Sequence, residues 1–220
     1  MRKAAWITMT GLALSTALAA LRYFSLNPIV FIPGQKVAYL ANLGPLLLHV
    51  SGGTLAIAVG PFQLLTGLRR QHPRLHRLLG RLYLAGVLAT AVGGLLLARI
   101  AMGGPLAKLG FAALALVLLT TTTAAFVSIL RGRVAAHRAW VIRSYAVIFT
   151  AVTFRAWLGV LTSLGLPFDQ VYAVGAWTAW MINLLAAETL LRMGRARWHQ
   201  PVPAVTAAGG FLQDVVHRRV

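Results

Sequence analysis

Six apolar runs, each long enough to cross a lipid bilayer and set off from the next by polar or basic residues, constrain this chain more than any other feature. They fall at about 4–22, 43–67, 78–101, 106–130, 140–163 and 170–192. A spanning helix needs roughly 20 mostly apolar residues. In hydrocarbon the backbone must satisfy its own polar groups, which a helix does within one segment. A barrel would need short alternating strands, and the sequence has none. The fold expected is therefore all-α: an integral membrane bundle of six transmembrane helices over residues 1–197, then a flexible tail at 198–220 containing Pro201, Pro203 and Gly209-Gly210. Composition agrees, because only 11% of residues are charged against about 25% in soluble domains. Too few polar residues exist to cover a water-facing surface.

The formal charge of +18 is explained by topology rather than by nucleic acid, since the basic residues fall between apolar runs and not on one solvated face. Sixteen of the 21 Lys and Arg residues lie at one end of the six-span pattern and four at the other: Arg22, Lys36, Arg99 and Lys108. The positive-inside rule then puts both termini in the cytoplasm. The first run also has features of a secretory signal, with Arg2-Lys3 ahead of it and Ala17-Leu18-Ala19 as a small-residue site. It is long for that purpose, and alanine-rich sequence makes such a match cheap, so a retained first span is expected. Cleavage would leave five spans in the same orientation. The segment 23–42, with Pro28, Pro33 and Gly34, reads as an outer loop with some interfacial structure.

There are no cysteines and only three acids, which leaves little material for thiolate metal sites, paired-acid catalysis or hard-metal sites. Phosphate-loop, HExxH and Gly-x-Ser-x-Gly motifs are absent. The strongest internal pattern is a partial repeat. His76-Arg77 opens the third span, with Arg81 and Tyr83 deeper; His137-Arg138 opens the fifth, with Arg143, Ser144 and Tyr145 deeper. One residue of slip separates the two, and the pattern suggests that helices two to five are a duplicated pair. His76, Tyr83 and Thr90 share one helix face, as do His137, Ser144 and Arg155, and polar stripes in spans face a bundle interior.

Arg155 lies about 22 Å into its helix by helical rise, and His49 enters the second span from the outer side to a comparable height. These two are expected to wall one polar site in the outer leaflet. The plainer alternative has Arg155 extending outward and His49 bonding a backbone carbonyl. Gln63 shares the face of His49, fourteen residues on, and Gly52, Gly53 and Gly60 between them admit either a ligand slot or close helix packing. Pro61 is expected to kink that helix. Thr120–Thr123 are expected to return hydroxyl bonds to their own backbone. Glu188 reads as an ion-pair partner for nearby arginines.

His49, Gln63, the His76-Arg77…Gly80-Arg81-x-Tyr83 block and His137-Arg138-x-Trp140…Arg143-Ser144 together resemble the bacterial predicted membrane proteins grouped as domain-of-unknown-function family 2306. The resemblance covers roughly residues 43–192 and implies a multi-span protein of a bacterial inner membrane, with no particular reaction attached.

Two functions fit the residues. One is a haem b or quinone-linked redox protein, with His76 and His137 as axial ligands, Arg77 and Arg138 pairing with propionates, and Tyr83 lining the pocket. This is broadly similar to four-helix cytochromes of the b561 type. Those use four intramembrane histidines for two haems, so this chain offers one haem at most. The other is a transporter or small-ligand-binding bundle, with His49, Gln63 and Arg155 along the pathway and Arg155 selecting an anion. An accessory role, with exposed helices packed on a membrane partner or a second copy, is a third possibility. The lipid bilayer is the one partner every reading shares, and nucleic acid is expected in none.

Overall fold

A computed structural model describes residues 3–198; the expected tail lies outside them, but for Trp198, where the last helix ends. Nine helices account for most of this span: α1 (Lys3–Ala20), α2 (Lys36–Leu40), α3 (Leu43–Gln63), α4 (Thr66–Gln71), α5 (Pro73–Ala98), α6 (Gly104–Leu130), α7 (Val134–Ile148), α8 (Thr150–Ser163) and α9 (Phe168–Trp198). No strand occurs among the described residues. Six stretches are long and apolar enough to span a membrane: Lys3–Ser25, Leu43–Gln63, Pro73–Ala98, Gly104–Leu130, Val134–Ser163 and Phe168–Met193. Large side chains such as Leu18, Leu88, Leu109 and Leu116 stand outward, as a surface that faces lipid requires and one that faces water avoids. The expected six spans are present.

The boundaries shift in one informative way. Hydropathy starts the third and fifth spans at about 78 and 140, yet the helices begin at Pro73 and Val134. The added turns carry arginines that lower hydropathy without weakening a helix, and Pro73 stands in the first turn, where its missing N–H costs nothing. The fifth span is also divided. α7 ends at Ile148 and α8 begins at Thr150, with Val152 N donating to Phe149 O three residues back at 2.9 Å. This tight turn in mid-span has neither proline nor glycine to announce it.

α3 and α5 cross most closely, through small residues. A Cβ built on Gly52 would stand 2.5 Å from both Gly86 O and Thr90 N, and one on Gly93 would stand 2.6 Å from His49 N. Close backbone approach is the usual means by which spans associate where no hydrophobic driving force separates helix from lipid. At Gly52 the close packing admitted by the sequence is made. α3 continues as a helix through Pro61. Proline cannot return a bond to Ile57 O, and Tyr145 Oη from α7 donates to that carbonyl at 3.4 Å. Trp6 Nε1 in α1 donates to Pro61 O at 3.0 Å. Ala13, Ala17, Ala56, Ile57, Val87, Leu118 and Tyr145 form the main core around these contacts.

At the opposite end the chain between α1 and α3 folds into a structured cap of three short 3-10 turns and α2. Phe31, buried, stacks on Tyr23 at 5.8 Å and meets Tyr39 edge-on at 5.8 Å. The buried Gln35 amide, oriented to satisfy both of its ends, donates to Ile100 O at 3.2 Å and accepts from Met102 N at 2.6 Å. The expected loop is thereby tied to the α5–α6 turn.

Candidate functional site

Two polar clusters form inside the bundle, one towards each end. The first is at the arginine-rich end. His76 is the fourth residue of α5 and His137 the fourth of α7, so their matched sequence blocks occupy matched places. His137 Nδ1 lies 2.8 Å from Ala125 O in α6. A carbonyl only accepts, so in the neutral ring Nδ1 carries the proton and Nε2 keeps its lone pair. His76 lies within electrostatic reach of His137, as well as of Arg69 and Arg77. Its Nδ1 is buried with no hydrogen-bond partner.

Gln63 closes this cluster from α3. Its Oε1 sits over Gly80, where a Cβ would stand 3.3 Å away, and Gly80 is one turn below His76. The Nε2 of Gln63 is buried and unpartnered as well. Buried polar atoms are nearly always bonded. Two such orphans one turn apart on neighbouring helices therefore mark a place for something polar.

Seven residues below each histidine the interior is shut. Tyr83 Oη lies 2.8 Å from Ser144 Oγ, and Thr122 Oγ1 lies 2.7 Å from the same atom. Ser144 is fully buried, and the rings of Tyr83 and Tyr145 fill the space left by Gly60. This three-hydroxyl floor joins α5, α6 and α7. Thr120 and Thr121 return bonds to Leu116 O and Val117 O, each at 2.8 Å, as expected for such residues. Thr122 departs from that pattern because its hydroxyl meets Ser144.

Arg77 and Arg138 are exposed at the rim. Arg143 turns inward, with Nε 2.5 Å and Nη2 3.1 Å from the two carboxylate oxygens of Glu188 and its guanidinium 4.5 Å from the centre of the Trp140 ring. The expected ion pair of Glu188 is thus a two-pronged one.

The second cluster lies towards the capped end. His49 Nδ1 is 2.8 Å from Thr90 O and 3.1 Å from Thr90 Oγ1, so the carbonyl bond considered for it is made, and it occupies the Nδ1 edge of the ring. Arg155 Nη1 donates to Ala151 O, four residues back in α8, at 2.7 Å. The guanidinium therefore folds back along its helix and does not extend outward. Arg155 is within electrostatic reach of His49 and of Tyr23, Arg22 and Tyr39. Both His49 and Arg155 are accessible and yet closely surrounded by protein. Gln63, by contrast, belongs with His76 and not with this pair.

The sequence offered no sign that Arg22, Tyr23 and Tyr39 would join Arg155, because their positions depend on how the cap folds. The Thr153–Asn183 bond at 2.9 Å between α8 and α9 was equally hidden.

The sequence profile of a family described as "Predicted membrane protein (DUF2306)" matches residues 46–191, about two thirds of the chain. The chain belongs to this family. Its matched region takes in both histidine blocks, Gln63, His49 and Arg155, and leaves out α1 and the cap. No curated protein and no solved structure matches the chain. Family membership carries a multi-pass membrane location and no reaction.

Proposed function

We propose that this chain is a single-haem b membrane redox protein, in which His76 and His137 would hold the haem. The observation that carries the reading is the pair itself. One imidazole is held by a carbonyl at Nδ1, which leaves Nε2 as a donor atom; the other has a buried ring nitrogen without a partner; and the two, on α5 and α7, are within electrostatic reach of each other. Anchoring of a ligand histidine through its other nitrogen is the usual way such a ring is oriented. Bound there, a haem would supply one-electron transfer. The protein's own part is to hold both rings, to exclude solvent beneath them with the Tyr83–Ser144–Thr122 floor, and to offer Arg77 and Arg138 at the rim for propionates.

The sixteen-to-four charge bias supports placing this end on the cytoplasmic side of a bacterial inner membrane. Electron exchange with a membrane quinone or a partner subunit is compatible with a single haem at that depth.

The test is an absorption spectrum of the full-length protein, expressed with haem supplied and then purified. A b-type Soret band that sharpens on reduction is expected. His76→Ala and His137→Ala should each abolish tight haem retention, while His49→Ala should leave the band intact. Absence of a Soret band from the folded wild-type protein would overturn the proposal.

A further inference from the structure

We infer that Gln63 is the positioning residue for His76, its side-chain amide holding the Nδ1 edge of that ring as the Ala125 carbonyl holds the Nδ1 edge of His137. The inference rests on the reading of His76 as a residue that holds the haem, and its first test needs no haem.

The case begins with an inequality between two matched rings. His76 and His137 are the fourth residues of α5 and α7. His137 Nδ1 is 2.8 Å from Ala125 O, so that ring is fixed at one edge and its Nε2 is aimed. His76 Nδ1 is buried and has no partner. A neutral ring that offers Nε2 to a metal carries its proton on Nδ1, and an acceptor for that N–H sets both the tautomer and the orientation of the ring. A buried N–H without one is costly.

Gln63 is the polar side chain that α3 brings to this level. Its Oε1 and Cδ stand 3.3 and 3.9 Å from the place a Cβ would take at Gly80, and His76 is one turn from Gly80 on the same face of α5. One turn is about 5.4 Å of rise, a gap that the amide oxygen closes directly or through one water. Glycine at 80 leaves the amide its room, since a Cβ there would crowd it. The Nε2 of Gln63 is buried and unpartnered, so no bond of that nitrogen is lost when the amide turns to present its oxygen.

The sequence adds an independent sign. Ala125 stands twelve residues ahead of His137, and Gln63 thirteen ahead of His76. The two His-Arg blocks differ by a slip of the same size. A backbone carbonyl serves one ring, and a side-chain amide at the corresponding spacing serves the other.

The test uses the full-length protein in lipid nanodiscs, free of haem and isotope-labelled at its histidine nitrogens. NMR in alkaline buffer, where imidazoles are neutral, reports which nitrogen of each ring carries the proton, and His76→Asn assigns the His76 signals. In the wild type both His76 and His137 should be protonated mainly on Nδ1. Gln63→Leu should lower the ratio of Nδ1–H to Nε2–H at His76 by about fivefold, as for the loss of one net hydrogen bond, and leave His137 unchanged. Gln63→Glu should restore the ratio, because a carboxyl group accepts in either protonation state. A role confined to packing would move neither ring's proton. If Gln63→Leu does not fold, Gln63→Met, which keeps the length of the side chain, takes its place. Where haem is retained, Gln63→Leu should also raise its reduction potential, because an imidazole that loses its N–H acceptor is a less basic ligand. A missing Soret band would count against the haem reading and leave the proton measurement standing. His76 protonated mainly on Nε2 in the wild type, or a ratio that Gln63→Leu does not change, would overturn the inference.

Discussion

Gly52→Val is expected to leave little folded protein in mild detergent. The added side chain would begin 2.5 Å from Gly86 O and Thr90 N. Both are backbone atoms of α5, so no rotamer change can make room. Overpacking a well-filled core costs about 1–3 kcal/mol when side chains can give way. Here the helices must separate, and the cost should exceed about 3 kcal/mol, a large share of the stability of a domain this size. The separation would also draw Thr90 from His49, a bond of 2.8 Å. Gly11→Val is the matched control, since a Cβ at Gly11 meets nothing within 4 Å. Thermal melts in parallel should show Gly11→Val near wild type and Gly52→Val far below it. Equal melting temperatures would mean that the α3–α5 crossing is looser than its backbone contacts indicate.

The second large effect is expected at Ser144. Its hydroxyl serves two others, Tyr83 Oη and Thr122 Oγ1, at a fully buried position. Ser144→Ala leaves both without a partner. Each orphaned buried hydroxyl costs about 1–3 kcal/mol, although bonds between membrane helices average nearer to about 0.6 kcal/mol because the dissociated helices find other partners. A loss of about 2 kcal/mol follows. Tyr83→Phe should cost less, since Ser144 still meets Thr122. The discriminating variant combines Ser144→Ala, Tyr83→Phe and Thr122→Val. Removing every member of a buried polar set is close to neutral, so the triple variant should be more stable than Ser144→Ala alone. If instead the three losses simply add, the hydroxyl floor is not a coupled set. The effect should also reach the proposed haem site, because the floor lies beneath both histidines.

Much of the fold was legible because the bilayer permits so few solutions. Long apolar runs in hydrocarbon can only be helices, and of the glycines at 52, 53 and 60, read as admitting close packing, Gly52 meets the α5 backbone. The start of α5 and α7 was less visible, because Arg74, Arg77, Arg133 and Arg138 mask helical turns in any reading based on hydropathy. The division at Phe149 was invisible, having neither proline nor glycine to signal it. The same asymmetry holds for the sites. His76 and His137, the fourth residues of α5 and α7, could each be set near the start of a helix from sequence. The partners of Arg155 could not, because Arg22, Tyr23 and Tyr39 reach it only through the fold of the cap, and no periodicity governs an irregular segment. Thr90 was read as part of the stripe below His76, yet its oxygens serve His49 from the neighbouring helix. Spacing reports which side of a helix a residue takes and not which neighbour stands there.

The bond from Tyr145 to Ile57 O ties together two positions far apart in the chain. Proline at 61 leaves that carbonyl without its helical N–H, and the phenol O–H at 145 donates to it from another helix. A relative with an ordinary residue at the position of Pro61 would form the helical bond itself, and its need for a hydroxyl at the position of Tyr145 would vanish. The two positions should therefore change together across the family: phenylalanine at the second should be found mainly where proline has left the first. An alignment of family members in which they vary independently would show that the phenol is retained for another reason.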